Sequence, residues 1–378
     1  MPPFMAMTEE TKKKYPFGVK ERIARLEPYR PGKPIDEVKR ELGLKDVIKL
    51  ASNESPYGPS PKVLQAMRQT IKQVNRYPDG GCFYLRDALA KHLGVEPNQL
   101  IFGNGSDEVI VTALRAFVQE GEEVVIAKPS FLIYEIASCV VGAQVKAIPL
   151  KDFQYDLEGM KKAVSPKTKM IFIGNPDNPA GSYVSQKQLE NFLNEISSQI
   201  LVFVDEAYFE YVQAADYPDT ITLLSKYPNL IIARTFSKMY GLAGLRVGFG
   251  IARSEVIDIL NRLREPFNVN SIAQAAALAC LKDQAYYRRI AKEIEEQRKF
   301  LYQSFEKMGL SFVKTVTNFL LIDVKTKSDE VSCRLLKKGV IVRDMAFWGL
   351  PTFIRVTIGA PSENRKFLRV LKEILKSA

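Results

Sequence analysis

Short apolar runs alternate with amphipathic helical segments along most of this chain. The runs are rich in β-branched residues, which is typical of buried strands in a mostly parallel sheet. The predicted strands of this sheet are residues 99–102, 123–127, 169–174, 200–204, 230–233 and 247–251. The pattern predicts an α/β fold in which polar residues at the carboxyl ends of the strands face one crevice.

Helical patterns separate and follow these strands. Ser185 and Gln188 have the spacing of a capping box, and Ser106 and Gly121 are the expected N-cap and stop of another helix. Helices are predicted at residues 35–42, 62–74, 109–118 and 283–308, around His92 with an end at Gly94, and after a cap at Ser362. Strands at 318–324, 340–343 and 353–358 indicate a second, smaller α/β domain.

The length of 378 residues also favours two domains. We expect an N-terminal arm and part of the small domain at residues 1–50. The large domain, which carries the functional site, is expected at 51–275, and the rest of the small domain at 276–378.

The composition narrows the possible classes of function. No apolar run reaches the roughly 18 residues that span a bilayer, and residues 1–20 lack the apolar core of a signal peptide, so we expect a cytoplasmic location. The four cysteines have no CxxC spacing, which indicates reduced thiols rather than disulfides or a metal site. The single histidine, His92, excludes a multi-histidine metal site and makes a Ser-His-Asp triad improbable.

The net charge of +11 has two interpretations. Nucleic-acid binding would need basic residues clustered with aromatic residues on one face. Here the basic groups are scattered, so we interpret them as a solvated surface and expect no nucleic-acid partner. A positive field also suits an enzyme whose ligands are anionic.

Residues 234–250 hold the most specific arrangement of reactive groups. Ser237 and Lys238 stand between two predicted strands, and Arg246 follows eight residues after the lysine. Such a lysine suits imine chemistry on a phosphorylated aldehyde, with the serine and the arginine holding the phosphate. Taken alone, the segment could equally be a basic surface turn.

The residues at neighbouring strand ends favour the chemical interpretation. Each of Asn178, Asp205 and Tyr208 could be a turn residue or a helix cap, but together they match the needs of a pyridine ring that acts as an electron sink. Asp205 would hold the proton on the ring nitrogen, and Tyr208 and Asn178 would donate to the phenolic oxygen. Phe131 is the candidate for stacking on the ring.

A glycine-containing turn before Ser106 leads into a predicted helix N-terminus, which is a favourable place for an anion. The turn departs from the dinucleotide fingerprint, because Glu108 occupies the place of its last glycine. The alternative is an ordinary capped helix.

Several short motifs occur in a specific order and spacing. They are Leu26-Glu-Pro-Tyr29, Asn53-Glu-Ser-Pro-Tyr-Gly58, Arg76-Tyr-Pro78, Gly105-Ser-Asp-Glu108, Asn175-Pro-Asp-Asn-Pro-Ala-Gly181, Val204-Asp-Glu-Ala-Tyr208, the Lys238 segment and Ile354-Arg-Val-Thr-Ile-Gly359. With them the chain, from about Arg22 onward, resembles the fold-type I PLP-dependent aminotransferases, and among these the histidinol-phosphate aminotransferases.

The resemblance implies pyridoxal 5'-phosphate (PLP) as the cofactor and no metal. Lys238 resembles the Schiff-base lysine, and Tyr77 resembles a tyrosine that reaches the phosphate from the partner subunit. The second likeness implies a homodimer with shared active sites. The cofactor's phosphate and the adjoining turn are expected to be contacted by Ser106, Asp107, Ser237 and Arg246.

The resemblance also implies a substrate site. Arg355 resembles the arginine that anchors the substrate, Arg343 and Tyr29 resemble residues that hold its phosphate, and Asn53 is expected beside them. An arginine in the apolar strand at 353–358 needs an anion to offset its burial, unless it lies on an edge strand and faces water.

The implied reaction transfers an amino group between L-glutamate and imidazole acetol phosphate, giving L-histidinol phosphate and 2-oxoglutarate. Other possibilities within the fold are an aromatic-amino-acid aminotransferase and a threonine-phosphate decarboxylase. A non-catalytic binding module with the same fold is the alternative of a different class.

The motif at residues 175–181 departs from the family pattern Asn-Pro-Asn-Asn-Pro-Thr-Gly. Asp177 replaces an asparagine and Ala180 replaces the threonine, and Phe131 stands where tyrosine is frequent. Because Asn178 and Gly181 are retained, we expect cofactor binding to be intact. The departures leave the substrate less closely defined.

Overall fold

The structure is a computed structural model that describes residues 18–28 and 31–376. Its strands are β1 (Ile48–Lys49), β2 (Leu100–Gly103), β3 (Glu123–Lys128), β4 (Gln144–Pro149), β5 (Thr168–Gly174), β6 (Leu201–Asp205), β7 (Leu230–Thr235), β8 (Gly248–Ala252), β9 (Ser311–Val313), β10 (Phe319–Asp323), β11 (Val340–Ile341), β12 (Arg343–Asp344) and β13 (Phe353–Thr357). Its helices are α1 (Glu21–Ala24), α2 (Ile35–Leu42), α3 (Pro61–Thr70), α4 (Phe83–Leu93), α5 (Ser106–Phe117), α6 (Leu132–Val141), α7 (Leu157–Ala163), α8 (Gln186–Glu195), α9 (Thr220–Leu223), α10 (Ser254–Leu263), α11 (Ser271–Leu281), α12 (Gln284–Lys307), α13 (Ser328–Lys337) and α14 (Pro361–Lys376).

A seven-stranded sheet with the order β2-β8-β7-β6-β5-β3-β4 forms the centre of the molecule. The strands from β4 to β7 are parallel, whereas β8 is antiparallel to both β7 and β2. This arrangement confirms the predicted mostly parallel sheet. The predictions missed β4, an edge strand whose mixed polar and apolar sequence gives it only partial burial.

Both faces of the sheet are covered, as the continuous apolar runs predict. In β5, Ile171 and Ile173 point into one hydrophobic cluster, while Met170 and Phe172 point into the other. Alternation along a strand therefore places apolar side chains on both sides of the sheet. A sheet buried in this way is rigid, and its strand ends are fixed positions for functional groups.

A second, four-stranded antiparallel sheet has the order β12-β13-β10-β9. The predicted strand at 340–343 is wrong as one unit, because the chain changes sheets at Val342: β11 pairs with β1, and β12 pairs with β13. This switch brings Arg343 opposite Arg355. The division of the chain at residues 50 and 275 stays a prediction.

Helix bounds follow the predictions with local corrections. The capping box of Ser185 and Gln188 is present, and α12 is one residue shorter at each end than expected. Ser106 is the first residue of α5 rather than its N-cap, because Gly105 takes the cap with φ of 83°. That helix ends before Gly121, since Val118 is already extended.

The remaining corrections concern the ends of two helices. Ser362 lies inside the first turn of α14, which begins at Pro361, a residue suited to that position because it has no N–H to satisfy. The helix expected at 62–74 begins one residue earlier and changes to a 3₁₀ turn at Ile71. Within the described ranges, no helix combines the length and the apolar character needed to cross a membrane.

Candidate active site

The carboxyl ends of three neighbouring strands bring the predicted reactive groups together. Gly174 at the end of β5 pairs with Asp205 of β6, which pairs with Ala233 of β7. Because these strands are parallel, the residues that follow them emerge at one edge of the sheet. Asn178 and Lys238 therefore lie in the same crevice as Asp205.

A cavity of about 500 Å³ occupies this crevice. The residues predicted for the cofactor and substrate that line it are Asn53, Ser106, Asp107, Phe131, Asn178, Asp205, Tyr208, Ser237, Lys238, Arg246 and Arg355. Arg343 is outside this lining and packs against Trp348, which belongs to it. Tyr77 lies elsewhere on the surface. Tyr29 falls outside the described residues.

Asp205 is buried at the inner end of the cavity. Tyr134 donates to its Oδ2 over 2.8 Å and the Ala207 amide donates to its Oδ1 over 3.1 Å. Burial raises the pKa of Asp205 to about 6, although the Tyr134 hydroxyl opposes the rise. A protonated ring nitrogen beside Asp205 would favour the ionised form of the carboxyl group, because its positive charge would offset the effect of burial on the pKa.

Tyr208 and Asn178 stand on the side of the cavity that faces the second sheet. Asn53 donates to the Tyr208 hydroxyl over 2.9 Å. Burial raises the pKa of Tyr208 to about 12, so the phenol keeps its proton and remains a donor at neutral pH. The Oδ1 atom of Asn178 accepts from Arg355, which links a predicted cofactor contact to the predicted substrate arginine.

Lys238 is half-buried, follows β7 and lines the cavity. Its Nζ donates to the Ser52 carbonyl over 3.3 Å and lies 5.7 Å from the centre of the Tyr208 ring. The ammonium group is thus held inside the cavity and is not a surface cation. This position excludes the basic surface turn that the sequence left open.

The other end of the cavity is built to hold an anion. The N-terminus of α5 opens into it at Ser106, and Arg246 pairs with Asp107 over 3.2 Å. A Cβ atom at Gly105 would lie 2.6 Å from the Arg246 guanidinium, and one at Gly248 would lie 2.4 Å from the Ser106 amide nitrogen. These two positions require glycine if the amides and the guanidinium are to converge on one anion.

Hydroxyl groups complete the anion site. Thr235, which the sequence analysis did not single out, donates to Ser237 Oγ over 3.0 Å and accepts from the Ser237 amide. These bonds fix the serine beside Lys238. The sequence feature that could have indicated Thr235 is its place as the last residue of β7, three positions before Lys238.

The substrate side of the cavity contains Arg355, which is only 7% exposed. It donates to the Ala51 carbonyl over 3.1 Å and lies over the Phe319 ring at 5.3 Å. The prediction that this arginine is buried is confirmed, and the alternative of an edge-strand arginine facing water is wrong. The single tryptophan, Trp348, also lines this side and was not singled out from the sequence.

Tyr77 is 83% exposed and stacks on Phe267 with ring centres 4.7 Å apart. It does not line the cavity of its own chain. The expected contact with the partner subunit's cofactor stays a prediction.

The two departures from the family motif are both buried. Asp177 accepts hydrogen bonds from Ser130 over 2.8 Å, Tyr155 over 3.2 Å and the Ala180 amide over 3.2 Å. Burial raises its pKa to about 6. Since these contacts lie behind the cavity wall, the departures alter the support of Asn178 rather than the groups that face a ligand.

The donor set fits PLP. A buried carboxyl group, two hydroxyl or amide donors, a lysine and an anion site surround one cavity, and the Phe131 ring lies against Tyr134 with centres 5.5 Å apart. Tyr134, which the sequence analysis did not single out, positions Asp205 through its hydrogen bond. In the described part of the chain, no group of three or more His, Cys, Asp or Glu side chains could hold a metal ion.

Comparisons with known proteins agree with this geometry. Residues 45–371 match the family profile of Aminotransferase class I and II. The chain is 48% identical over 357 residues to a histidinol-phosphate aminotransferase of Moorella thermoacetica, covering 94% of this chain and 92% of that protein. It is 48% identical to one of Brevibacillus brevis, covering 95% and 99% of the two chains.

A solved structure shows the same similarity. The crystal structure of histidinol-phosphate aminotransferase from Sinorhizobium meliloti in complex with pyridoxal-5'-phosphate superimposes with a TM-score of 0.86. The sequence identity is 30%, and the match covers 92% of this chain and 96% of that one.

Proposed function

This chain belongs to the class I and II aminotransferases, and on that premise we propose that it is a PLP-dependent histidinol-phosphate aminotransferase. It transfers an amino group between L-glutamate and imidazole acetol phosphate, giving L-histidinol phosphate and 2-oxoglutarate. The family and fold type I predicted from the sequence are confirmed by the family profile and the structural match.

The single observation that carries the choice of a phosphorylated substrate is the arginine pair at the cavity. Arg343 and Arg355 are direct cross-strand partners on β12 and β13. Two like charges directly opposite each other destabilise a sheet, and an anion bound close to both would offset this effect. A phosphate group carries enough negative charge to be held by both.

The cavity lining supports a specific set of cofactor contacts. Asp205 would hold the ring nitrogen, Tyr208 and Asn178 would donate to the phenolic oxygen, and Phe131 would cover the ring. The anion site at the start of α5, with Ser237 and Arg246, would hold the phosphate. When bound, PLP supplies an electron sink for the negative charge that develops at the substrate carbon.

Lys238 moves the proton in this reaction. Its Nζ takes the proton from the amino-bearing carbon of one substrate and returns a proton to the carbon that receives the amino group. The Ser52 carbonyl and the Tyr208 ring hold the Nζ in the cavity, which is where this transfer requires it. Arg355 orients the substrate so that this carbon faces the lysine.

The exposed Tyr77 supports a homodimer in which each subunit completes the other's site. Mixing two inactive variants, Lys238→Ala and Tyr77→Ala, tests this proposal. In a hybrid dimer one site would contain both substitutions and the other would contain neither, so activity should reappear on mixing. Failure to regain activity, with hybrids verified by native mass spectrometry, would exclude a shared site.

We also propose a cytoplasmic location. All four cysteines are free thiols, which is the state that reducing compartments maintain. Fractionation of the producing cell, with the activity followed in each fraction, tests this directly.

Steady-state kinetics test the substrate. With 2-oxoglutarate as acceptor, we expect kcat/KM for L-histidinol phosphate to exceed that for phenylalanine and aspartate by roughly 100-fold or more, because those substrates lack the phosphate that the two arginines would bind. A preference for phenylalanine would indicate the aromatic-amino-acid aminotransferase instead, and release of CO₂ from threonine phosphate would indicate the decarboxylase.

Absorbance tests the enzyme against a non-catalytic module. Wild-type protein with PLP should show a visible band that Lys238→Ala shifts or loses, together with its activity. Lys226→Ala is the matched control, because Lys226 is exposed and does not line the cavity. Protein that stays colourless with added PLP would contradict the enzymatic function.

A further inference from the structure

The turn between β12 and β13 closes the substrate side of the cavity with an aromatic residue. Ala346–Trp348 forms a 3₁₀ turn that ends at Gly349, whose φ is 79°. Asp344 fixes the start of this turn by accepting from Ser328 over 2.6 Å and from the Ala346 amide over 3.0 Å. Trp348 is thereby presented toward the cavity from the second sheet.

Trp348 touches both halves of the site. It lines the main cavity together with Lys238 and Arg355. It also lines a narrow gap together with Phe131, the residue that would cover the cofactor ring. The indole therefore bridges the large sheet, which carries the cofactor contacts, and the small sheet, which carries the arginine pair.

The indole face is also the support of Arg343. The guanidinium carbon of Arg343 lies 4.7 Å from the centre of the Trp348 ring, which is a cation–π contact. A guanidinium group on a flexible stem has many orientations, and a flat aromatic surface reduces them. Arg343, the cross-strand partner of Arg355, is thereby held against the Trp348 ring, which lines the cavity.

We propose that Trp348 is the positioning residue of the substrate-phosphate site. It holds the guanidinium of Arg343 so that Arg343 and Arg355 grip one phosphate group from two sides. This inference rests on the proposed function, because it assumes a phosphorylated substrate. It adds a residue that does not contact the reacting carbon and acts through Arg343.

The kinetic signature follows from this role. Trp348→Ala should raise KM for L-histidinol phosphate roughly 10-fold or more, because the loosened arginine binds the phosphate in both the ground state and the transition state. Its kcat should change little, and KM for phenylalanine should stay within about twofold because that substrate carries no phosphate. Trp348→Phe keeps an aromatic face and should restore most of the affinity.

Fluorescence gives a second measurement that does not depend on turnover. Trp348 is the only tryptophan in the chain, so its emission reports this site alone. Titrating the wild-type holoenzyme with inorganic phosphate should shift or quench the emission, and the change should saturate. Arg343→Ala should abolish the saturating response, whereas Arg262→Ala, which removes an exposed arginine paired with Asp258, should retain it.

The outcomes separate the two proposals. If wild-type protein does not use L-histidinol phosphate, the proposed function fails, while the phosphate titration still tests the Arg343–Trp348 pair. If Trp348→Ala raises KM equally for both substrates, or lowers kcat with KM unchanged, the positioning role is wrong. A phosphate response that survives Arg343→Ala, or is absent from the wild type, also overturns it.

Discussion

Replacing Asp177 with asparagine removes a buried carboxyl group without changing the shape of the side chain. Asparagine can still accept from Ser130 and Tyr155 through its oxygen, as the carboxylate does. Its NH₂ group cannot accept from the Ala180 amide, so one hydrogen bond is lost, at about 1 kcal/mol. The substitution also removes a negative charge that burial disfavours, and this removal offsets the loss.

The size of that charge effect follows from the pKa. Burial raises the pKa of Asp177 from 3.8 to about 6, and a rise of about 2 units corresponds to about 3 kcal/mol. Between these two pH values the folded protein retains a proton that the unfolded chain has already released. Stability therefore falls as pH rises through this window. Roughly half of the effect, about 1.4 kcal/mol, develops between pH 5 and pH 8.

Urea unfolding of cofactor-free protein at pH 5 and pH 8 measures this effect. The free energy of unfolding of Asp177→Asn, minus that of the wild type, should rise by about 1.4 kcal/mol from pH 5 to pH 8, because the other groups titrate alike in both proteins. Asp258→Asn, at an exposed aspartate, is the control and should give a flat difference. A flat difference for Asp177→Asn as well would refute the argument from burial.

Three further predictions concern the cofactor site and its support. Asp205→Asn should lower kcat by roughly 100-fold or more, measured at saturating PLP, because an amide cannot balance a protonated ring nitrogen; an unchanged kcat would contradict this role. Arg246→Ala should weaken PLP binding about 10- to 100-fold in an absorbance titration, with KM for substrate unchanged at saturating PLP. Gly181→Ala should lower the urea midpoint more than Gly309→Ala. Both glycines have positive φ, but only at Gly181 would a Cβ atom collide with the Thr315 hydroxyl. Equal losses for the two variants would show that Thr315 moves away freely.

Local patterns were enough to predict the centre of this fold. The runs that became β5, β6 and β7 are continuously apolar, so burial on both faces could be read directly from them. The polar residues at the ends of these strands, such as Asp205, were therefore expected at one edge of the sheet. The same reasoning could not find β4, because an edge strand with partial burial has no distinctive period.

The contacts that the sequence did not reveal are those that depend on tertiary pairing. Arg343 and Arg355 are twelve residues apart, and their contact across β12 and β13 depends on a change of sheet at Val342. Tyr134 and Trp348 act through their neighbours, Asp205 and Arg343. A residue that supports another carries no motif of its own, because only its final position gives it a role.

The hydrogen bonds of Asn53 have a consequence for the making of this protein. The backbone amide of Asn53 donates to the hydroxyl of Thr357, which lies 304 positions later in the chain. The side-chain amide of Asn53 donates to the Tyr208 hydroxyl. At 5–20 residues per second, the ribosome needs about 15 to 60 seconds to pass from the first to the last of these residues. Until Thr357 has been made, the crevice lacks its second wall, so Lys238 and Asp205 lie in an open site after their own synthesis. We therefore expect a nascent chain to capture PLP only after Thr357 has been made and has left the ribosome.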